Sequence, residues 1–260
     1  MARFKLTLEY AGTRYSGWQI QKNARTVQGE IDRAVRALSR RDDFELYGAG
    51  RTDAGVHALG QVAHLDLETR LRAGELRRAL NDELPADVNV LSAEQVPRRF
   101  HARHGAVARS YLYQVARRRT AFAKPYVWWV KDDLDPARMR AAAAAFTGLK
   151  DFRAFTAQDP LEGSTRVLVE GFELAEQGDL LLVRVVGSHF LWKMVRRLVG
   201  VLVEVGRGAL PAREAEVLLR AEEGDAAAFT APPSGLFLER VFYEGDPRVF
   251  PLRAAFPVGG

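Results

Sequence analysis

The chain of 260 residues carries a formal net charge of +5, contains no cysteine, and is 47% hydrophobic and 27% charged. This composition is typical of a globular protein with one large or two ordinary domains, and it excludes disulfides, thiolate catalysis and cysteine-ligated metals. The first residues, MARFKLTLEY, hold no signal-peptide core, and no segment approaches the roughly 20 apolar residues of a membrane helix. We therefore expect a cytoplasmic protein without a membrane partner.

The first half of the chain mixes strand and helix patterns. Alternating hydrophobic residues predict strands in FKLTLEYAG, GQVAHLDLE and VNVLSAEQVP. Hydrophobic residues at helical spacing predict helices in TVQGEIDRAVRALSR, with Thr26 as the N-cap, and in RAGELRRALNDELP, which ends near Pro85. These elements lack the regular strand–helix–strand order of a doubly wound fold.

The second half has the same mixture. Strands are predicted in RSYLYQVAR, RVLVEGFELAE, DLLLVRVVGS and LFLERVFYE. LDPARMRAAAAAFTG predicts a helix with Asp135 as its N-cap and Pro136 at its first position. A second helix is predicted in HFLWKMVRRLVGVLVEVG, where hydrophobic residues recur at helical spacing from Phe190 to Leu202. A third, short helix is predicted in PAREAEVLLRAEEG. Each half is thus expected to be a mainly antiparallel sheet packed with helices, which is the α+β class.

Three ranges follow from these patterns. We predict an N-terminal α+β subdomain over residues 1–105, a C-terminal α+β subdomain over 106–245, and a tail over 246–260. The tail is rich in proline, glycine and arginine, so we expect it to have little order.

The positive charge is concentrated in the middle of the chain. RRFHARHGAVARSYLYQVARRR, residues 98–119, holds seven arginines, two histidines and no acidic residue. Most of the 38 basic residues are arginines, which indicates a codon bias, but such a bias does not remove carboxylates. The stretch is typical of a site that binds a polyanion such as nucleic acid.

GAGRTDAGVH, residues 48–57, sets one carboxylate, Asp53, among three glycines. The segment fails the dinucleotide-binding pattern, because Asp53 stands where the third glycine is required. It also fails the P-loop pattern, because Gly55 is followed by Val56 and His57 instead of lysine and a hydroxyl residue. A phosphate cradle of either kind is excluded.

Several motifs together resemble the TruA-type family of tRNA pseudouridine synthases. The resemblance rests on GAGRTDAGVHALGQVAHL and, in the family's order, on EYAGTRYSGWQIQ, TVQGEI, RRFHARHGAVARSYLYQV, FLWKMVRRLVG and PPSGLFLERVFY. It covers nearly the whole chain up to about Tyr243, and GRTDAGVHA is its most specific part. The chain departs from the family at Trp192 and Arg197, where many members have a histidine or tyrosine and an asparagine.

The resemblance implies a fold and an activity. The fold would be two pseudo-symmetric α+β subdomains whose sheets join into one extended sheet, with a central active-site cleft. The activity would be the isomerisation of uridine to pseudouridine in the anticodon stem-loop of tRNA, at positions 38–40, without metal or cofactor. The family also implies a homodimer with tRNA spanning both subunits.

The resemblance also implies roles for five residues. Asp53 matches the catalytic aspartate and Arg196 the arginine paired with it, whose charge favours an ionised carboxylate. Tyr111 matches the tyrosine that stacks on the target uracil, and Leu236 a leucine of the uracil pocket. Arg51 matches the arginine that fills the gap left by the flipped nucleotide. The glycines near Asp53 are expected to leave room for that nucleotide at the backbone.

Four further residues of the basic stretch, Phe100, His101, Arg103 and His104, are expected to contact the tRNA backbone. His57 lies four residues after Asp53, but one histidine and one aspartate are too few ligands for a defined metal site, so a structural or RNA-facing role is favoured.

Two other functions remain open from the residues alone. One is a tRNA-binding module in which Asp53 is merely structural. The other is a nucleoside hydrolase or glycosylase, although no second carboxylate or metal cluster that would activate water is evident.

Overall fold

The computed structural model describes residues 1–157, 163–221 and 225–258. Within these ranges it contains ten β-strands and five α-helices, which confirms the α+β class. The strands are β1 (Ala2–Tyr10), β2 (Glu45–Gly48), β3 (His57–Leu67), β4 (Val88–Val96), β5 (Ala108–Ala116), β6 (Trp128–Trp129), β7 (Gly148–Asp151), β8 (Arg166–Gln177), β9 (Leu180–Gly187) and β10 (Leu236–Phe242). The helices are α1 (Val27–Ser39), α2 (Ala73–Glu83), α3 (Pro136–Phe146), α4 (Met194–Gly206) and α5 (Glu214–Leu219).

By its contacts the chain divides into two compact units. Unit 1 comprises Met1–Val107 and Phe237–Pro247, and unit 2 comprises Ala108–Leu236 and Arg248–Gly260. Residues 237–247 belong to unit 1 although they follow unit 2 in sequence, because β10 pairs in parallel with β3.

Unit 1 is built on β1, which pairs antiparallel with β3 on one side and β4 on the other. β2 extends this sheet by pairing antiparallel with β3. The alternation that predicted β1 is confirmed, because its alternate residues are buried: Phe4, Leu6, Leu8 and Tyr10. The side chain of Thr26 accepts the N–H of Gly29 and so caps α1 as predicted.

Unit 2 contains the antiparallel strand order β5-β9-β8-β7, with the short β6 parallel to β5. α3 begins at Pro136, and the carboxylate of Asp135 accepts the backbone N–H groups of Ala137 and Arg138, which confirms the predicted cap. Both units therefore have mainly antiparallel sheets, whereas the pseudo-symmetry of the two halves stays a prediction.

The start of α4 differs from its prediction. The hydrophobic spacing placed Phe190 on the helix, but the helix begins at Met194. Lys193 explains the difference, because its φ of 63° is left-handed and interrupts the helical backbone. Phe190 instead lies against β5, where its ring meets the ring of Tyr111 at right angles.

The C-terminal segment packs on unit 2, contrary to the little order that its composition predicts. Arg184 is 1% exposed, and its guanidinium donates to the carbonyls of Phe250 and Pro251 at 3.0 and 2.9 Å. The side chain of Gln114 accepts the N–H of Ala255 at 2.7 Å. Buried polar side chains thus obtain their partners from this segment, whose last two residues lie outside the described ranges.

Candidate active site

The loop over residues 49–56 connects β2 to β3 in unit 1 and carries Arg51 and Asp53. Arg51 is exposed and Asp53 is half-buried. The backbone N–H of Trp18 donates to the carbonyl of Thr52 at 3.1 Å, so the loop is held directly beside the aspartate.

The segment that supports this loop approaches it very closely. Gly17 has a φ of +90°, and a Cβ at this position would lie 2.5 Å from the carbonyl oxygen of Thr52. The N–H of Gly55 donates to the carbonyl of Tyr15 at 3.2 Å. Backbone therefore packs on backbone on both sides of Asp53, and only glycine fits at position 17.

Thr52 anchors the loop to the core of unit 1. Its Oγ1 lies 2.9 Å from the hydroxyl of Tyr10, and both side chains are buried. The amide of Gln61, also buried, donates to the carbonyl of Gly50 at 3.0 Å. The residue before Asp53 is thus fixed by a side-chain hydrogen bond, which limits the freedom of the carboxylate itself.

The glycines of the motif have different surroundings. A Cβ at Gly48 would lie 2.6 Å from the indole of Trp18, so that glycine makes room for protein, whereas nothing lies within 4 Å of a Cβ at Gly50. The expectation that the glycines leave space for a nucleotide is therefore wrong for Gly48 and is compatible with the surroundings of Gly50.

His57 has a structural role. It is 1% exposed, its Nδ1 accepts the N–H of Gly12 at 3.0 Å, and its ring stacks on Phe237 at 4.7 Å. In the three described ranges, no group of three or more histidine, aspartate and glutamate side chains could hold a metal ion.

Unit 2 carries the other three residues that the resemblance singled out. Arg196 lies in the first turn of α4, and its Nε donates to the carbonyl of Ala231 at 2.7 Å. Tyr111 is half-buried on β5, with its ring 5.2 Å from that of Phe190. Leu236 begins β10 and is 5% exposed.

Tyr113 connects the elements that carry these residues. Its hydroxyl donates to the carbonyl of Pro232 at 2.7 Å, and a Cβ at Gly235 would lie 2.5 Å from its ring. Burial raises the pKa of its hydroxyl well above the usual value. Tyr113 therefore holds Pro232 and Gly235 against β5.

The adjacent Arg197 has a different environment. It is 5% exposed, and its guanidinium donates to the carbonyls of Ala154 and Thr156. These backbone contacts hold Arg197 inside unit 2.

The four predicted RNA contacts lie together in unit 1. Phe100 packs on Tyr243 with ring centres 5.0 Å apart. Arg103 and His104 are exposed, and their backbone N–H groups both donate to Nδ1 of His101 at 3.2 Å. Burial, and next the neighbouring charge of His104, lower the pKa of His101. His101 therefore organises the turn that presents Arg103 and His104.

The predicted site residues are divided between the units: Asp53 and Arg51 belong to unit 1, and Tyr111, Arg196 and Leu236 belong to unit 2.

Among the helices that the structure describes, none has both the length and the apolar character that a membrane span requires.

Comparison with known proteins identifies the family. A protein named tRNA pseudouridine synthase A from Afipia carboxidovorans is 41% identical over 246 residues, which cover 94% of this chain and 100% of the relative. A protein of the same name from Exiguobacterium sp. is 40% identical over 94% of this chain and 99% of the relative. Another, from Nitrobacter winogradskyi, is 41% identical over 97% of this chain and 99% of the relative.

A solved structure, that of a Cbf5-Nop10-Gar1 complex, has a chain that is 11% identical with a TM-score of 0.34, over 76% of this chain and 54% of that one. This likeness is too slight to support an argument.

The family profile described as tRNA pseudouridine synthase matches residues 7–104 and 142–244. With this match and the relatives at about 40% identity, the chain belongs to the tRNA pseudouridine synthase family.

Proposed function

We propose that this chain isomerises uridine to pseudouridine in the anticodon stem-loop of tRNA, at positions 38–40, with Asp53 as the catalytic carboxylate. The observation that carries the proposal is the anchored GRTDAGVH loop in a member of this family, because the loop holds one carboxylate beside a buried hydrogen bond. We propose no metal or cofactor for the reaction.

The reaction is an isomerisation and needs no co-reactant. The N1–C1′ glycosidic bond breaks, the uracil turns, C5 bonds to C1′, and the hydrogen on C5 leaves as a proton while N1 gains one. One carboxylate can act as nucleophile or base in such a sequence. In this proposal the charge of Arg196 favours the ionised form of Asp53.

The base must leave its stack before it can react. Extruding a nucleotide from a stem costs a few kcal/mol, which contacts with the flipped base offset. In our proposal the ring of Tyr111 stacks on the uracil and Leu236 lines its pocket, since stacking contributes roughly 1–3 kcal/mol per base.

Arg51 is suited to the space that the flipped nucleotide leaves. Its side chain is exposed, and it forms no hydrogen bond or ion pair with any other residue in the described ranges. A guanidinium on the rim of the catalytic loop can hydrogen-bond to bases or phosphates of the opened strand.

The substrate and assembly extend the proposal. Phe100, His101, Arg103 and His104 contact the tRNA backbone, supported by the exposed cations of that turn. The enzyme acts in the cytoplasm as a homodimer with tRNA spanning both subunits, as the family resemblance implies.

The alternatives identified from the residues are less well supported. A binding module without chemistry does not account for membership of an enzyme family matched over most of the chain. A hydrolase would require a second group that activates water, and the motif that carries this proposal supplies one carboxylate, Asp53.

Primer extension after carbodiimide treatment tests the proposed positions, because the adduct on pseudouridine stops reverse transcription. An unmodified tRNA transcript with uridines at positions 38, 39 and 40 should give stops at these positions after incubation with the protein alone. Stops elsewhere in the tRNA, with none in the anticodon stem-loop, would contradict the proposed target.

A further inference from the structure

Tyr47 presents an exposed aromatic ring on the sheet of unit 1. It is 51% exposed, and the register of β2 with β3 sets it opposite His64. The two rings are stacked, with centres 5.4 Å apart and an angle of 17° between the planes. His101 lies 4.7 Å from His64, and His104 lies 4.4 Å from His101. We call these four residues the Tyr47–histidine surface.

The imidazoles beneath Tyr47 are fixed in position. Nδ1 of His64 accepts the N–H of Ala102 at 3.2 Å, and Nδ1 of His101 accepts two backbone N–H groups. Burial, and next the charges of Arg3 and His101, lower the pKa of His64 to about 4. At neutral pH His64 is therefore an uncharged ring that supports Tyr47 from one side.

The charges around the surface favour an anionic partner. Arg98, Arg99 and Arg103 are exposed on the adjoining turn. Asp66, one of the carboxylates on the same strands, is paired with Arg3 at 2.6 Å. An exposed aromatic ring beside exposed cations is the arrangement by which proteins hold single-stranded nucleic acid, because the ring stacks on a base while the cations bind phosphates.

We propose that Tyr47 is a stacking platform for an unpaired nucleotide of tRNA, with Arg99 and Arg103 on the flanking phosphates. This proposal rests on the proposed function for its choice of tRNA, but it concerns a contact other than the target uridine. His64 and His101 act as its rigid support.

Affinity for a fluorescently labelled tRNA transcript, measured by anisotropy from about 50 to about 200 mM salt, tests the proposal. Tyr47→Ala should raise the Kd between about 5- and 150-fold, as expected for the loss of one stacked base, by the same factor at every salt concentration. Tyr47→Phe keeps the ring and should bind within about twofold of wild type. Arg99→Gln should instead reduce the slope of log Kd against log salt.

Phe122→Ala is the matched control, because Phe122 is an 89% exposed ring in unit 2 and the proposal gives it no role. Unchanged affinity in Tyr47→Ala would overturn the proposal, and so would a loss equal to that of Phe122→Ala. A change from dimer to monomer on sedimentation of Tyr47→Ala would also overturn it, because the ring would then belong to a contact between copies.

The two proposals fail separately. If wild type forms no pseudouridine but Tyr47→Ala still loses tRNA affinity, the isomerase proposal falls and the platform stands. If wild type forms pseudouridine and Tyr47→Ala binds tRNA normally, the platform falls alone.

Discussion

The hydroxyl of Tyr10 lies 2.9 Å from Oγ1 of Thr52, the residue directly before Asp53. Tyr10 is the last residue of β1 and faces the core of unit 1. The position of the loop that carries Asp53 is therefore set by a buried hydrogen bond to β1, which pairs with strands on both sides. Small displacements of a reacting group are costly, since about 1 Å can reduce a rate roughly 100-fold.

Thr52→Val should test this anchor, because valine keeps the shape of threonine and removes the hydroxyl. We expect kcat to fall about 10- to 100-fold with a much smaller change in KM, since Asp53 and the RNA-binding surface remain. Thr52→Ser keeps the hydroxyl and should retain kcat within a few fold. Steady-state kinetics distinguish these results, and a wild-type kcat in Thr52→Val would show that the bond does not position Asp53.

Arg196 and Arg197 should respond differently to the same substitution. Arg196→Gln should abolish measurable turnover, because Arg196 is proposed to act on Asp53. It should lower the free energy of unfolding less than Arg197→Gln does, because Arg196 is only half-buried and water can replace its bond to the carbonyl of Ala231. Arg197→Gln should lower the free energy of unfolding by about 1–3 kcal/mol, because buried carbonyls of Ala154 and Thr156 lose a charged donor.

Urea denaturation and turnover assays on both arginine variants provide the comparison. The assignment would be reversed if Arg197→Gln were stable but inactive and Arg196→Gln remained active.

His64 should make stability depend on pH. Its pKa is about 4 in the folded protein against 6.5 in an unfolded chain, so the unfolded state takes up the proton first as the pH falls. The stabilisation is fully present above about pH 6.5 and is lost progressively toward pH 4. His64→Gln, which cannot titrate, should be less stable than wild type at pH 7.5 by a margin that shrinks toward pH 5.

Urea unfolding of both proteins at a series of pH values measures this difference. A margin that stayed constant from pH 7.5 to pH 5 would show that His64 keeps its ordinary pKa in the folded state.

The C-terminal segment should stabilise unit 2. Removal of residues 248–260 deprives the buried guanidinium of Arg184 of the two carbonyls that accept its hydrogen bonds. Hydrogen bonds to charged groups contribute about 1.5–3 kcal/mol each, so the melting temperature should fall by several degrees. A matched Arg253→Ala variant, which changes an exposed side chain of the same segment, should melt like wild type. Equal melting temperatures for all three proteins would show that the segment does not stabilise the fold.

Much of the secondary structure could be predicted, because it follows local patterns. β1 alternates, α1 and α3 have side-chain caps, and each matches the sequence expectation. β2, β6 and β7 have four, two and four residues, which is too short for a periodic pattern to appear. The pairing of β10 with β3 joins distant parts of the sequence, which a local pattern cannot indicate.

The candidate site shows the same limit. Asp53 is singled out by a motif that is contiguous in sequence and by a family resemblance built from several such motifs. The hydrogen bond between Tyr10 and Thr52 that anchors the loop of Asp53 could not be predicted, because these residues are 42 positions apart and each fits an ordinary core or loop pattern. The hydrogen bond from Tyr113 to Pro232 spans 119 residues and appears only in the structure.

Release of tritium from tRNA labelled at uridine C5 tests the central claim most directly, because the new C5–C1′ bond expels that hydrogen. Wild type without added metal should release tritium, and Asp53→Asn should release none while binding tRNA within a few fold of wild type. Release by Asp53→Asn at a rate close to wild type would contradict the assignment of Asp53. No release by either protein, with tight tRNA binding retained, would contradict the isomerase itself.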